Sequence, residues 1–306
     1  MNLIVLYKFI PICFQCILYF CTILGMEITY GLIAALISIV CFGSYFVPME
    51  NSQEYKPYSY QWFMCQSIFI STLLLCLYLN EFCFSWFGLL AGALWCLGNL
   101  CATLAVVNGG LALSAVFWVG MGVSCTFLWG IVYFQESLNN MFAAILGLCL
   151  ITYGAYKISQ SSAKEKINPQ TGIMFGCVAG LCFGSYYVPY KMSGMTPWQF
   201  IFSMSLGIII TSTFVFLLKP SIPNKKLILP AFTSGVFWNI ANISSFFTVG
   251  YLGIILGYPL TQLSLFVSIL WGILYFKEIH GKWHIKNIII HSIILFLGAG
   301  LMLFAK

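Results

Sequence analysis

The chain has 306 residues, of which 61% are apolar and 7% charged, with a formal net charge of +6. Soluble domains carry about 25% charged residues, so this composition excludes a soluble fold. All 13 basic residues are lysine and all 7 acids are glutamate, a balance that fits loop lysines obeying the positive-inside rule and argues against a nucleic-acid surface.

The chain opens with a hydrophobic segment over residues 1–29. Its first part, MNLIVLYKFIPICFQCILYFCTILG, places a lone Lys8 before a long apolar run. A signal anchor, a cleaved signal peptide and an extra span all fit, and Met26-Glu27 fits an alternative start. Cys13 and Cys16 have CxxC spacing but no second pair and no nearby His, so they read as small apolar filler. No metal ion or cofactor is expected.

Apolar runs of about 20 residues follow, each long enough to cross a hydrocarbon core about 30 Å thick. They cover 30–48, 60–80, 84–107, 111–134 and 139–158, then 171–190, 197–218, 227–250, 253–276 and 285–304. In lipid each segment must satisfy its own backbone groups, and the alternation of barrel strands is missing, so the runs are predicted to be helices. The expected fold is an all-α polytopic membrane protein with ten core helices and a central loop at 159–170.

The two groups of five repeat each other. Residues 41–48 read CFGSYFVP and residues 182–189 read CFGSYYVP. GALWCLGNLCATLAVVNGG at 92–110 aligns with GVFWNIANISSFFTVGYLG at 235–253, and LWGIVYFQE at 128–136 with LWGILYFKE at 270–278. YQWF at 60–63 has a looser counterpart in PWQF at 197–200. The units are therefore 30–158 and 171–304. An odd number of spans per unit makes the second copy enter from the opposite side, so the halves are predicted to be inverted repeats, an arrangement characteristic of many secondary transporters. Lysine counts put the loops after the odd-numbered spans in the cytosol and the carboxyl terminus outside or in a lumen.

The octamer reads as a helix end. Gly43, Ser44, Gly184 and Ser185 permit close helix approach, while Pro48 and Pro189 stop or kink the chain. Gly172, Gly176, Gly180 and Gly184 form a ladder along one face, which fits either a packing seam or a gating hinge.

FGSYFVP, GALWCLGN and LWGILYFKEIHGK together resemble the transmembrane protein 144 family, which is related to glucose/ribose-type sugar porters of the drug/metabolite transporter superfamily. The resemblance covers about residues 30–304. It implies a five-plus-five carrier of carbohydrate. The chain differs from some relatives in its short central loop and its apolar leader. Residues 1–25 are accordingly expected to be dispensable for transport.

No lysine lies mid-span, so a phosphorylated substrate would find no fixed cation and a neutral one is favoured. Sugars and polyols want aromatic faces for C–H surface and amides for hydroxyls. Trp95 with Asn99, and Trp238 with Asn242, put an indole and an amide one helical turn apart on one face. Asn239, Gln262, Tyr45 and Tyr186 complete the candidate binding set, and Gln61, Gln66 and Asn108 are further polar groups near or within spans. Each isolated Trp or Tyr fits an interfacial belt or bundle packing equally well. Glu136 and Glu278, at the ends of spans 4 and 9, are candidate proton-coupling carboxylates or else solvated or capping groups. His291 is a candidate proton relay without an acidic neighbour in sequence. HExxH, GxSxG and Walker motifs are missing, and no enzymatic activity is expected. The sequence thus predicts a secondary transporter of a neutral polar solute, foremost a sugar, in a lipid bilayer. The rival readings are a carrier of another small solute or ion, and a non-transporting receptor or scaffold.

Overall fold

A computed structural model describes residues 25–45, 47–50, 57–159, 168–220, 225–275 and 282–305. The apolar leader before Gly25, most of the central loop, and Glu278 lie outside the described residues. Twelve helices are assigned among those described: α1 (Gly25–Ser44), α2 (Val47–Glu50), α3 (Pro57–Leu79), α4 (Trp86–Leu128), α5 (Met141–Ser159), α6 (Pro169–Ser185), α7 (Tyr187–Ser193), α8 (Pro197–Leu218), α9 (Lys225–Leu252), α10 (Ile254–Thr261), α11 (Ser264–Leu274) and α12 (Lys282–Phe304).

Among the described residues, eight helical stretches are long and apolar enough to cross a membrane: 25–44, 57–79, 86–109, 141–158, 169–193, 197–218, 225–252 and 286–304. The expected spans 111–134 and 253–276 differ from that set. The first is the later part of α4, whose helical hydrogen bonding runs on to a π-helical turn at Trp129–Tyr133, but the chain doubles back near Asn108, since Gly98 meets Cys182 and Cys125 meets Gly184 on the same end of α6. The second is divided into α10 and α11 by a turn at Gln262 and Leu263.

Asn108-Gly109-Gly110 keeps helical hydrogen bonding at the place where the chain reverses between the expected spans. Asn108 Nδ2 donates to the Leu104 carbonyl, and a Cβ on Gly172 would come within 2.5 Å of Gly109 Cα. These glycines let two helices touch. The glycine ladder of α6 continues that seam: a Cβ on Gly176 would meet Phe117 Cβ at 3.1 Å, one on Gly180 would meet Met121 Cβ at 2.6 Å, and one on Gly184 would meet Cys125 Cβ at 2.6 Å. The ladder therefore packs closely against the C-terminal half of α4.

The octamer ends its helices four residues before each proline. α1 stops at Ser44 and α6 at Ser185, and Pro48 and Pro189 then sit in the first turn of α2 and α7, where the missing N–H costs no hydrogen bond. Each octamer packs against the LWG block of the other copy. Trp271 Nε1 donates to Ser44 Oγ at 2.9 Å and Trp129 Nε1 to Ser185 Oγ at 3.2 Å. A Cβ on Gly43 would overlap Val267 Cβ and lie 2.7 Å from the Ser264 carbonyl, while one on Gly184 would lie 2.6 Å from Cys125 Cβ and 2.7 Å from the Gly122 carbonyl. The GALW and GVFW blocks behave alike, with Gly92 against the Met204 carbonyl and Gly235 against the Met64 carbonyl. α5 and α12 close the set, with Gly147 and Gly298 facing each other's carbonyls.

Candidate functional site

At the centre of these crossed contacts the ring centroids of Trp95 and Trp238 lie 3.8 Å apart at 37°. Both indoles are buried, as are Asn99, Asn239 and Asn242. The spacing of four residues does put each amide on the face of its indole, but the two amides are held differently. Asn99 Nδ2 donates to Gln61 Oε1 at 3.3 Å, and Gln61 Nε2 donates to the Cys96 carbonyl at 2.7 Å. Asn242 Oδ1 accepts from the Tyr186 hydroxyl at 3.4 Å, and its Nδ2 faces Met204 Sδ at 3.5 Å.

Tyr186 belongs to an aromatic and hydroxyl network. Its ring lies 4.1 Å from that of Tyr187, whose hydroxyl donates to Ser245 Oγ at 2.8 Å. Ser245 in turn donates to the Asn242 carbonyl at 2.7 Å. A buried donor without a partner costs about 1–3 kcal/mol, and this chain of bonds is how the second copy avoids that cost.

Asn239 and Gln262 bond to groups outside this cluster. Asn239 ties α9 to α3, its Nδ2 donating to Ser71 Oγ at 2.9 Å and Thr72 Oγ1 at 3.0 Å. Gln262 caps α10 and donates to Thr261 Oγ1 at 3.1 Å. Tyr45 is half-buried at the end of α1 and packs against the core. Gln61 is the important addition. Because α3 begins at Pro57, about one turn earlier than the hydropathy suggests, this residue lies deeper in the bundle than a span opening would put it. Gln199, by contrast, is half of a capping box with Thr196 at the start of α8.

Among the coupling candidates, Glu136 is the most engaged. Its Oε1 accepts from Ile254 N at 2.9 Å and its Oε2 from Ile255 N at 3.1 Å, and it pairs with Lys191. A cleft of about 330 Å³, lined by residues that include Glu136, Leu252 and Ile255, opens beside it. This lies within the roughly 300–1,000 Å³ range of ligand pockets, yet it is not at the paired indoles. His291 Nδ1 lies 2.7 Å from the Asn287 carbonyl one turn earlier, with its ring edge-on to Tyr153. Its polar contact is thus local to α12. Among the described residues, no group of three or more His, Cys, Asp or Glu side chains is placed to hold a metal ion.

Residues 32–305 match the family described as Sugar transport protein. The chain belongs to that family. Among similar proteins, transmembrane protein 144 homolog B of Dictyostelium discoideum is 24% identical over 90% of this chain and 97% of its own length. The transmembrane protein 144 homolog of Caenorhabditis elegans is 22% identical over 90% and 98%. The probable glucose uptake protein GlcU of Bacillus anthracis is 22% identical over 71% and 77%. A solved crystal structure superposes with a TM-score of 0.70 at 12% identity, covering 90% of this chain and 98% of its own, which places the two in one fold. A multi-pass integral membrane protein of the sugar transport family follows from these matches and the apolar helices.

Proposed function

We propose that the chain is a secondary transporter for a neutral polar solute, foremost a sugar, and that it works by alternating access between two inverted five-helix halves, 30–158 and 171–304. The observation that carries this reading is the reciprocity of the crossed contacts. Trp271 holds Ser44 while Trp129 holds Ser185, and Gly43 meets Val267 where Gly184 meets Cys125. Such an exchange is what a twofold axis in the membrane plane produces, and Trp95 on Trp238 lies where that axis would pass. In this reading the tail of α4 is span 4, and α10 with α11 is span 9.

The solute class rests on the family and on the site chemistry. Relatives are named for sugar or glucose uptake, and the described lysines lie at helix ends or in loops, away from the paired indoles. A sugar ring entering between Trp95 and Trp238 would replace indole–indole contact by indole–sugar contact. Asn99 and Asn242, each already oriented by a buried partner, would then exchange hydrogen bonds with hydroxyls. The test is uptake of labelled hexoses and pentoses into proteoliposomes, with and without a pH gradient, beside an Asn99→Ala/Asn242→Ala double variant. Saturable flux lost in the variant is expected. Absence of flux for every sugar, in folded protein, would retire the sugar assignment.

A further inference from the structure

The carboxylate of Glu136 joins three segments that the repeat assigns to different halves. The π-helical turn ends at Tyr133, and Gln135 then adopts φ +50°, a left-handed conformation uncommon for a side-chain-bearing residue. The reversal is fixed by Glu136 N donating to the Gly130 carbonyl at 3.0 Å. It delivers the Glu136 side chain to the start of α10, where Ile254 N and Ile255 N are first-turn donors without intrahelical partners.

Lys191, at the C-terminal end of α7, reaches the same carboxylate while lying 4.3 Å from the centroid of the Phe134 ring. Gly253 is needed here twice over. Its φ is +82°, and a Cβ on it would lie 2.8 Å from Glu136 Oε2. The two charged side chains are 16% and 30% exposed, so water screens the pair less than it would a surface pair. Next in the chain to Lys191 is Tyr190, whose ring packs 4.5 Å from Phe246 and 5.1 Å from Phe200. Ile255 and Leu256 are buried beside the pair.

We infer that Glu136, Lys191 and the first two N–H groups of α10 form a latch that holds this end of the bundle closed, with the aromatic layer at Tyr190 as the seal behind it. The inference rests on the alternating-access reading, since contacts made across the two halves at one end must part when that end opens. Glu136 is the keystone because it engages both α7 and α10. Lys191 engages the carboxylate and the Phe134 ring but not the α10 donors, so its removal leaves the α10 attachment in place.

The test uses two reporter cysteines in the full chain, reconstituted without substrate, labelled by a membrane-impermeant maleimide and read peptide by peptide by mass spectrometry to separate them from native cysteines. Leu256→Cys reports the latched end. Ser268→Cys, one turn along α11 from its start and bonded to the Gly43 carbonyl, reports toward the other end. In Glu136→Gln the loss of charge-assisted bonds is expected to speed labelling at position 256 by about tenfold and to slow it at 268. Lys191→Gln should move both reporters the same way by a smaller factor, and it decides the matter if Glu136→Gln fails to fold. A general loosening would speed both positions, and that result, or unchanged rates in folded variants, would overturn the latch. Opposite movement of the reporters in a chain that carries no sugar would keep the latch and retire only the substrate.

Discussion

Gly184 separates a packing seam from a hinge. It is helical within α6, and a Cβ there would lie 2.6 Å from Cys125 Cβ, 2.7 Å from the Gly122 carbonyl and 3.1 Å from Cys125 Sγ. Carbon atoms rest at about 3.5–4.0 Å, so Gly184→Ala must push α6 and α4 apart by roughly 1 Å. Overpacking of this kind costs about 1–3 kcal/mol, and the neighbouring Trp129–Ser185 bond is worth about 1 kcal/mol more. Against that, replacing a helical glycine by alanine returns about 1 kcal/mol. The net expectation is a loss of about 2 kcal/mol, read as an apparent Tm lowered by roughly 5 °C in detergent. Gly300→Ala is the control: it is also helical, nothing lies within 4 Å of its Cβ position, and only the propensity gain of about 1 kcal/mol applies. The two alanines should therefore shift Tm in opposite directions. Equal shifts would refute the steric argument, and a Gly184→Ala chain of unchanged Tm that has lost flux would make Gly184 a hinge.

Three further outcomes follow from the site. Trp238→Ala opens a hole opposite Trp95 and is expected to cost about 3–5 kcal/mol, whereas Trp238→Phe should keep the fold and lower sugar uptake; thermal melts beside flux separate the two. Gln61→Ala leaves the buried Asn99 amide without its partner, a loss of about 1–3 kcal/mol. The corresponding melt should fall more than that of Gln199→Ala at the exposed capping box. Gly253→Ala combines the strain of a positive-φ, extended conformation that is essentially glycine's own, about 1–3 kcal/mol, with displacement of the Glu136 carboxylate, so it should both lower Tm and speed labelling of Leu256→Cys.

The repeated words were legible because they are nearly identical, and the sequence marks them plainly: CFGSY at two sites, LWGI at two sites. What covalent order cannot display is that each word is read by the other copy. Ser44 and Trp271 are distant in the chain and become partners only through the exchange of α1 and α11. The same limit explains Asn108-Gly109-Gly110. Gly-rich tripeptides usually signal turns through backbone freedom and the chain does double back here, but the sequence does not show that Gly172 packs on the same point, where its Cβ would come within 2.5 Å of Gly109 Cα. Gly253, aligned with Gly110, does break its helix at φ +82°. The letters agree between copies, and the neighbours decide which property of glycine is used.

The Trp–Asn spacing was legible, and the structure buries both pairs together, yet the asymmetry of the two amides was not legible. Asn99 is oriented by another amide, whereas Asn242 is oriented by the Tyr186 phenol and lies against a thioether. Nothing in the repeat pointed to Gln61 as the partner of Asn99. Asn99 Nδ2 is committed to Gln61 Oε1, and Gln61 is itself fixed by donating to the Cys96 carbonyl. A phenol that donates to Oδ1 holds Asn242 with its carbonyl committed and its Nδ2 directed at sulfur, a weak acceptor. A solute hydroxyl that accepts a hydrogen bond therefore displaces less at Asn242 than at Asn99. The single variants are expected to differ accordingly, with Asn242→Ala raising the KM for uptake more than Asn99→Ala does. Equal KM values in the two single variants would mean that the partners of the amides do not set how the solute is held.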